Sequence, residues 1–210
     1  MWTRIGAGVA VLALLIVAGV FLLGGGVSSG PGPDEGPTAF SFDLKRVKAA
    51  PVTDRTPADL QGEADTAADA VKATMDRFYF DAYVDPEAWG AYDAAFALLQ
   101  DPAAATAESD ADVLTLGTAA AEDYEALEGP SGTLNVVVLT NEEDVAVSAI
   151  ARVAFHADAR LSAGGATRIT STGSFFLRPG DEGWSIFGYS VDRNEKEAPS
   201  SPSPSPTEAA

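Results

Sequence analysis

The chain has 210 residues, with 31 acidic side chains against 13 basic ones and a formal net charge of −18. This balance argues against nucleic-acid binding, which requires clustered lysine and arginine, and the lack of cysteine excludes disulfides, thiolate metal sites and cysteine nucleophiles. The single histidine, His156, excludes a multi-histidine zinc site within one chain. Aromatic residues make up 9% of the chain, enough to predict a folded core.

The N-terminal segment is apolar. After residues 1–4, MWTR, no charged residue occurs over 5–23. At about 1.5 Å per residue a helix of this length spans roughly 28 Å, close to the hydrocarbon thickness of a bilayer. A cleaved secretory signal is the alternative, but its apolar region usually has only about 7–15 residues. We therefore expect an uncleaved transmembrane helix over 5–23 that contacts membrane lipid.

The residues that flank this segment predict its orientation. Arg4 and the amino terminus lie on one side, whereas no Lys or Arg follows the segment until Lys45. By the positive-inside rule, residues 1–4 are expected in the cytoplasm and the bulk of the chain outside it, at the cell membrane. Residues 24–59 are predicted to form a flexible stalk, since the first part of this range is rich in Gly and Pro.

Three helices are predicted next, and the first is expected to end near Tyr83. Its apolar side chains recur at helical spacing: Ala64, Ala67, Val71, Met75, Phe78 and Ala82. Asp85 and Pro86 suit the N-cap and first position of a second helix. The apolar face of this second helix comprises Trp89, Tyr92, Phe96 and Leu99. A third helix is expected from Asp110 to the Gly-Pro pair at Gly129.

After Gly132 the hydrophobic pattern alternates, which predicts strands. Four strands are expected, over 133–140, 145–156, 167–178 and 184–191. The second should bury one face that carries Val145, Val147, Ala149, Ala151, Val153 and Phe155. Trp184 and Ile186 are expected to pack inward from the last strand against the first helix, at Val71 and Met75.

The order of these elements predicts an α+β fold. Short turns between consecutive strands favour an antiparallel meander, and helices followed by strands favour three N-terminal helices packed on one face of a curved four-stranded antiparallel sheet. The predicted domain spans 60–193. Residues 194–210 contain alternating Ser and Pro and are predicted to be a disordered tail.

Three helices and a four-stranded meander that ends in Gly-Trp-Ser-Ile-Phe-Gly-Tyr-Ser-Val, 183–191, resemble the NTF2-like fold. With an N-terminal span and a stalk, the chain is similar to the Mce-associated and VirB8-like single-pass membrane proteins of actinobacteria. The resemblance implies a cone between sheet and helices, and a non-catalytic extracytoplasmic module that assembles with other envelope proteins. It transfers no functional residue to this chain.

Several side chains are candidates for a site inside such a cone. An enzymatic site would draw on Tyr79, Tyr92, Asp93, His156 and Tyr189. A site for a small apolar ligand would draw on Tyr79, Tyr92, Phe96, Phe175, Phe176 and Phe187. His156 is expected to be an ordinary exposed residue, and the tyrosines are more often packing residues than catalytic ones.

No motif for a metal or cofactor is present. Asp81, Asp85 and Glu87 concentrate carboxylates, but they lack the glycine and spacing of a calcium loop, so helix capping by Asp85 explains them better. Glycine patterns typical of nucleotide binding are absent. The sequence therefore predicts neither metal nor cofactor, and no enzyme.

The sequence leaves three functions to compare. The first is a membrane-anchored interaction module that docks on unidentified envelope proteins and does not bind nucleic acid. The others are a carrier or sensor of a small apolar ligand, and an isomerase or lyase acting in the cone. The sequence is also compatible with a homo-oligomer. A filled cone favours the first function, whereas an open cavity favours one of the other two.

Overall fold

The structure, a computed structural model, describes residues 39–52, 54–181 and 183–198. The strands in this part are β1 (Asp43–Pro51), β2 (Tyr124–Thr140), β3 (Ala146–Leu161), β4 (Ala166–Gly180) and β5 (Gly183–Glu197). They form one sheet in the order β1-β2-β3-β4-β5. β1 pairs parallel with β2, and the other neighbours pair antiparallel, so the sheet is mixed.

The helical residues lie in the chain between β1 and β2. A 3-10 turn, Pro57–Leu60, leads into the long helix α1 (Gln61–Tyr79), which continues as a π-helical turn, Phe80–Val84. After the 3-10 turn Pro86–Ala88, four helices of four residues follow: α2 (Asp93–Phe96), α3 (Ala104–Ala107), α4 (Ala111–Leu114) and α5 (Ala120–Asp123). α1 contacts β1, β2, β3 and β5 and covers one face of the sheet, the inner face.

The expected fold class is wrong. Instead of three helices on a four-stranded antiparallel sheet, the described residues form a five-stranded mixed sheet with one long helix. The additional strand is β1, which lies within the range expected to be a stalk. Phe40 and Phe42 precede it and are buried in the core. Lys45, Arg46 and Lys48 interrupt the apolar alternation of β1, because β1 is an edge strand with an exposed outer face.

The first predicted helix is confirmed. α1 and its π-helical turn end at Val84, one residue beyond the expected end. Every apolar residue assigned to the buried face is buried: Ala64, Ala67, Val71, Met75, Phe78 and Ala82. The predicted cap is also confirmed, since the Asp85 carboxylate accepts a hydrogen bond from the Glu87 amide at 3.0 Å.

The second and third predicted helices are wrong, because turns interrupt them. Gly90 and Gly117 have φ angles of 86° and 89°, a left-handed conformation that ends a helix. The apolar residues of this region are held instead by specific contacts, such as the indole N–H of Trp89 donating to the Tyr83 carbonyl at 2.9 Å. Gly129 is not a helix end either, since it lies at an irregularity within β2.

The strand regions after residue 132 are confirmed as strands, with two exceptions to the predicted burial at the start of β3. Ala149, Ala151, Val153 and Phe155 are buried on β3 as expected, but Val147 is 43% exposed, and Val145, which precedes the strand, is 51% exposed. Leu139 pairs with Ser148 and Thr140 with Ala146, so Val147 is an extra residue at a bulge. A bulge reverses the alternation of side chains. The predicted inward-facing positions on the N-terminal side of the bulge therefore no longer point into the core.

The last strand differs from the expectation in two respects. Ile186 is fully buried, but Trp184 is only half-buried against the core. The hydroxyl of Thr74 on α1 donates to the Trp184 carbonyl at 3.1 Å, which holds the start of β5 on the helix. β5 also continues to Glu197, four residues beyond the predicted end of the domain.

Residues 1–38 and 199–210 lie outside the described part, and with them the expected transmembrane helix over 5–23 and most of the expected tail. Among the helices of the described residues, none has the length and apolar character needed to cross a bilayer.

Candidate functional site

Two of the proposed cone residues, Tyr79 and Phe175, lie at the centre of the core. Both are fully buried, with their ring centroids 6.0 Å apart. Tyr79 also stacks on Tyr83, with a centroid distance of 5.1 Å, and its hydroxyl forms a hydrogen bond with Ser171 at 2.9 Å. Burial raises the pKa of Tyr79 well above its usual value, so the phenol stays neutral and acts as a hydrogen-bonding core residue.

Tyr92 and Phe96 occupy a different part of the helical region. The Tyr92 hydroxyl is buried and donates to the Gly117 carbonyl at 2.8 Å, which fixes the turn between α4 and α5. Phe96 is half-buried, with its ring 6.2 Å from that of Tyr92. Among the described rings, neither contacts Tyr79 or Phe175, so the structure divides the proposed lining into two separate groups.

The two remaining cone residues, Phe176 and Phe187, lie on the opposite, outer face of the sheet. Side chains alternate between faces along a strand, so the buried Phe175 directs its neighbour Phe176 outward. Phe187 contacts Phe176 there, with centroids 6.4 Å apart, and the Arg178 guanidinium lies 5.6 Å from the Phe187 ring. Both phenylalanines are half-buried.

The polar candidates for acid and base chemistry do not converge. Asp93 is exposed at the start of α2. His156 is exposed as expected, but it lies within β3 instead of at its end, on the outer face, with Ser131 Oγ 2.9 Å from its Nε2. The Tyr189 hydroxyl donates to the Asp110 carboxylate at 2.7 Å. The geometry brings no carboxylate, histidine and tyrosine of this set together.

The carboxylates proposed as a metal cluster do not form one. Asp85 is used as a helix cap, and the described residues contain no group of three or more side chains suited to a metal ion. Asp81 has one carboxylate oxygen buried without a hydrogen bond, 3.7 Å from the Arg77 Nε. Burial raises the pKa of Asp81, Arg77 opposes the shift and Asp85 adds to it.

Replacing Asp81 with asparagine is expected to stabilise the protein at pH 7 by about 1 kcal/mol, since it removes the charge from a buried carboxylate oxygen that has no hydrogen bond. An acid whose pKa is raised by folding destabilises the folded state above that pKa and has no such effect below its unfolded pKa. The gain should therefore vanish as the pH falls through the unfolded pKa of about 3.9. Urea denaturation at pH 3 and pH 7 measures both. A gain that is equal at both pH values would contradict the electrostatic cause.

A groove that the sequence did not predict lies on the outer face of the sheet. It has a volume of about 610 Å³ and is lined by β1, β2 and β3. Arg46, Asn135 and Arg152 are direct cross-strand partners, and Lys48 follows Arg46 by two residues on the same face of β1. We call this groove, with its three cations Arg46, Lys48 and Arg152, the cationic groove.

The charges of this groove are unbalanced within the described chain. Ion pairs occupy Lys45, Arg55, Lys72, Arg77, Arg160, Arg168 and Arg193. Within 39–52, 54–181 and 183–198, the groove's Arg46, Lys48 and Arg152 form no ion pair. Carboxylates outnumber cations more than twofold in the sequence, and like charges close together on one sheet face destabilise it. The groove is therefore an isolated basic surface on an acidic protein, and it suits an anionic partner.

An apolar strip continues from the groove across the sheet. Lys48, Val137, Ile150 and Phe176 are successive cross-strand partners on the outer face, and Phe187 contacts the last of them. Val137, Ile150, Phe176 and Phe187 are all half-buried. No helix of the described residues covers this strip, because α1 packs on the inner face. Cations beside an open apolar strip are typical of a surface that binds another molecule.

Sequence reasoning missed the groove because its residues lie far apart in the chain. The run Lys-Arg-Val-Lys over 45–48 is the one dense basic cluster of the sequence, but it lies within 24–59, the predicted stalk. Arg152 reaches the same surface only through the pairing of β1, β2 and β3. No protein family, curated protein or solved structure matches the chain.

Proposed function

We propose that this chain is a membrane-anchored extracytoplasmic interaction module that docks on partner proteins of the cell envelope and has no catalytic activity. The anchor and the location rest on the apolar segment over 5–23 and on Arg4. The docking role rests on the outer face of the sheet. The observation that carries it is the cationic groove, whose three cations have no ion pair within the described residues of an acidic chain.

The packing of the interior favours this function over the two alternatives. A carrier of apolar ligands needs a lined cavity, but Tyr79 and Phe175 pack against other rings and are fully buried. An isomerase needs an acid or base beside an oxyanion donor, whereas Asp93 and His156 are exposed on different elements.

Photocrosslinking in native membranes tests the proposal. A benzophenone amino acid at Phe176, on the apolar strip, is expected to give a discrete adduct with a second envelope protein. The matched control is the same substitution at Phe96, which is also a half-buried phenylalanine but lies in α2. The adduct at Phe176 should disappear in an Arg152→Glu background. No adduct at Phe176, or the same adducts at both positions, would contradict docking through the outer face.

A further inference from the structure

The open edge of β1 lies next to the cationic groove. We propose that this edge binds an extended segment of a partner protein in which acidic and apolar residues alternate, and that the segment pairs with β1 as an additional strand. This inference rests on the proposed docking function and specifies the chemistry of the partner.

The backbone of β1 offers a regular edge. β1 is the first strand of the sheet and pairs with β2 on one side, in uninterrupted register from Arg46 to Pro51. On its other side, no strand of the described residues pairs with it, and residues 46–51 form no backbone hydrogen bond there with any other described element. Such an edge presents peptide N–H and C=O groups to a further strand.

The outer face of β1 determines the charge of that strand. Arg46 and Lys48 are two residues apart and exposed, so their side chains repeat at about 6.6–7 Å along the strand. Residues two apart in an added strand repeat at the same distance and point to the same face. Carboxylates at these positions would lie opposite the two cations, and Arg152 adds positive charge from β3.

The inner face of β1 determines which side chains of the added strand should be apolar. Leu44 and Val47 are half-buried at the open edge and pack against the core, whereas Ala49 is buried. A strand added beside β1 would place every second side chain next to these residues. Apolar side chains at those positions would extend the core, which gives the alternation of acidic and apolar residues.

Other occupants fit this edge less well. A second copy that paired β1 with β1 would place Arg46 and Lys48 beside the same cations of its partner, and like charges on neighbouring strands repel. An anionic bilayer supplies no backbone groups, and a chain with a net charge of −18 is repelled by it. Lysine on an edge strand also prevents pairing between strands, and if that is its role here no added strand should bind.

The test uses the full chain in detergent micelles and a seven-residue labelled peptide of alternating Glu and Val with blocked ends. We expect saturable binding and slower amide exchange at residues 46–50 when the peptide is bound. The variant Arg46→Glu/Lys48→Glu should weaken binding at least tenfold. The matched control, Arg178→Glu/Lys196→Glu, makes the same charge change on the outer face away from β1 and should change binding less than twofold.

Each result decides between the interpretations. No binding, an equal loss in both double variants, or binding without slower exchange at 46–50 would overturn the inference. Equal binding of a peptide of alternating Lys and Val would also overturn it. If the Glu and Val peptide does not bind, but the chain self-associates or binds anionic vesicles and Arg46→Glu/Lys48→Glu abolishes that association, the occupant of the edge is a second copy or a bilayer and the inference is wrong. If the Phe176 adduct forms and 46–50 stay unprotected, docking stands and strand addition fails. If the peptide binds as expected and no adduct forms, the proposed envelope function fails instead.

Discussion

Replacing Tyr79 with alanine is expected to lower the free energy of unfolding by about 3–5 kcal/mol, one of the largest effects of any single substitution in this chain. The side chain is fully buried, and its ring centroid lies 4.9–6.4 Å from those of six other aromatic residues. These are Phe40, Phe42, Phe78, Tyr83, Phe155 and Phe175. Removing the ring leaves a cavity where α1, β3, β4 and the segment before β1 meet. Urea denaturation followed by tryptophan fluorescence measures the loss.

The variant Tyr79→Phe separates the ring from its hydroxyl. It keeps the ring contacts and removes the hydrogen bond to Ser171, leaving a buried hydroxyl without this partner at a cost of about 1–3 kcal/mol. Adding Ser171→Ala to this variant should recover part of the loss, because the unpaired group is then absent. If Tyr79→Ala cost no more than Tyr79→Phe, the aromatic cluster would not be the centre of the core.

The long helix could be predicted from sequence because one period determines its packing. Its apolar residues form one face that is directed mainly at the inner face of the sheet, so the helical repeat and the burial agree along the whole of α1. The alternation on β3 is informative for the same reason between Ala149 and Phe155. The alternation fails at Val147. Leu139 pairs with Ser148 and Thr140 pairs with Ala146, so β3 has one extra residue, Val147, between these two pairs.

The region between α1 and β2 could not be predicted by period alone. Trp89, Tyr92 and Leu99 recur at a helical spacing, but each is buried by a different contact. The indole of Trp89 donates to the Tyr83 carbonyl in the π-helical turn, the hydroxyl of Tyr92 donates to the Gly117 carbonyl, and Leu99 forms a bridge to Ile186 on β5. The last two of these contacts join residues far apart in the sequence, and the two left-handed glycines in this region carry only a weak signal in the sequence.

The sequence patterns of β1 and of the cationic groove beside it were uninformative for a shared reason. An edge strand buries one face only partly and carries charged residues on the other, so Lys45, Arg46 and Lys48 obscure the alternation that identifies a strand. The groove also needs Arg152, which the sequence places about a hundred residues away. The sequence shows the cations of 45–48 as a cluster. Their position on the same surface as Arg152 depends on the parallel pairing between β1 and β2, which no local sequence pattern specifies.

Replacing Gly173 with alanine is expected to destabilise the protein by about 3 kcal/mol, at the upper end of the usual cost of overpacking. A Cβ atom at this position would lie 2.2 Å from the Ser190 carbonyl oxygen and 2.7 Å from the Val191 Cα. Both are backbone atoms of β5, so no side-chain rotation can relieve the contact. The strands β4 and β5 would have to separate where Gly173 pairs with Val191.

The matched control is Gly62→Ala, which adds the same methyl group within α1. No atom lies within 4 Å of the added Cβ there, and alanine favours a helix over glycine by about 0.5–1 kcal/mol, so this variant should be more stable than the wild type. Thermal melts of both variants should show a lower melting temperature for Gly173→Ala and a higher one for Gly62→Ala, although both variants add the same methyl group. Amide exchange at Ser190 and Val191 should accelerate in Gly173→Ala alone. A Gly173→Ala variant that melts like the wild type would contradict the close approach of β4 and β5, and with it the packing that presents Phe176 and Phe187 on the outer face.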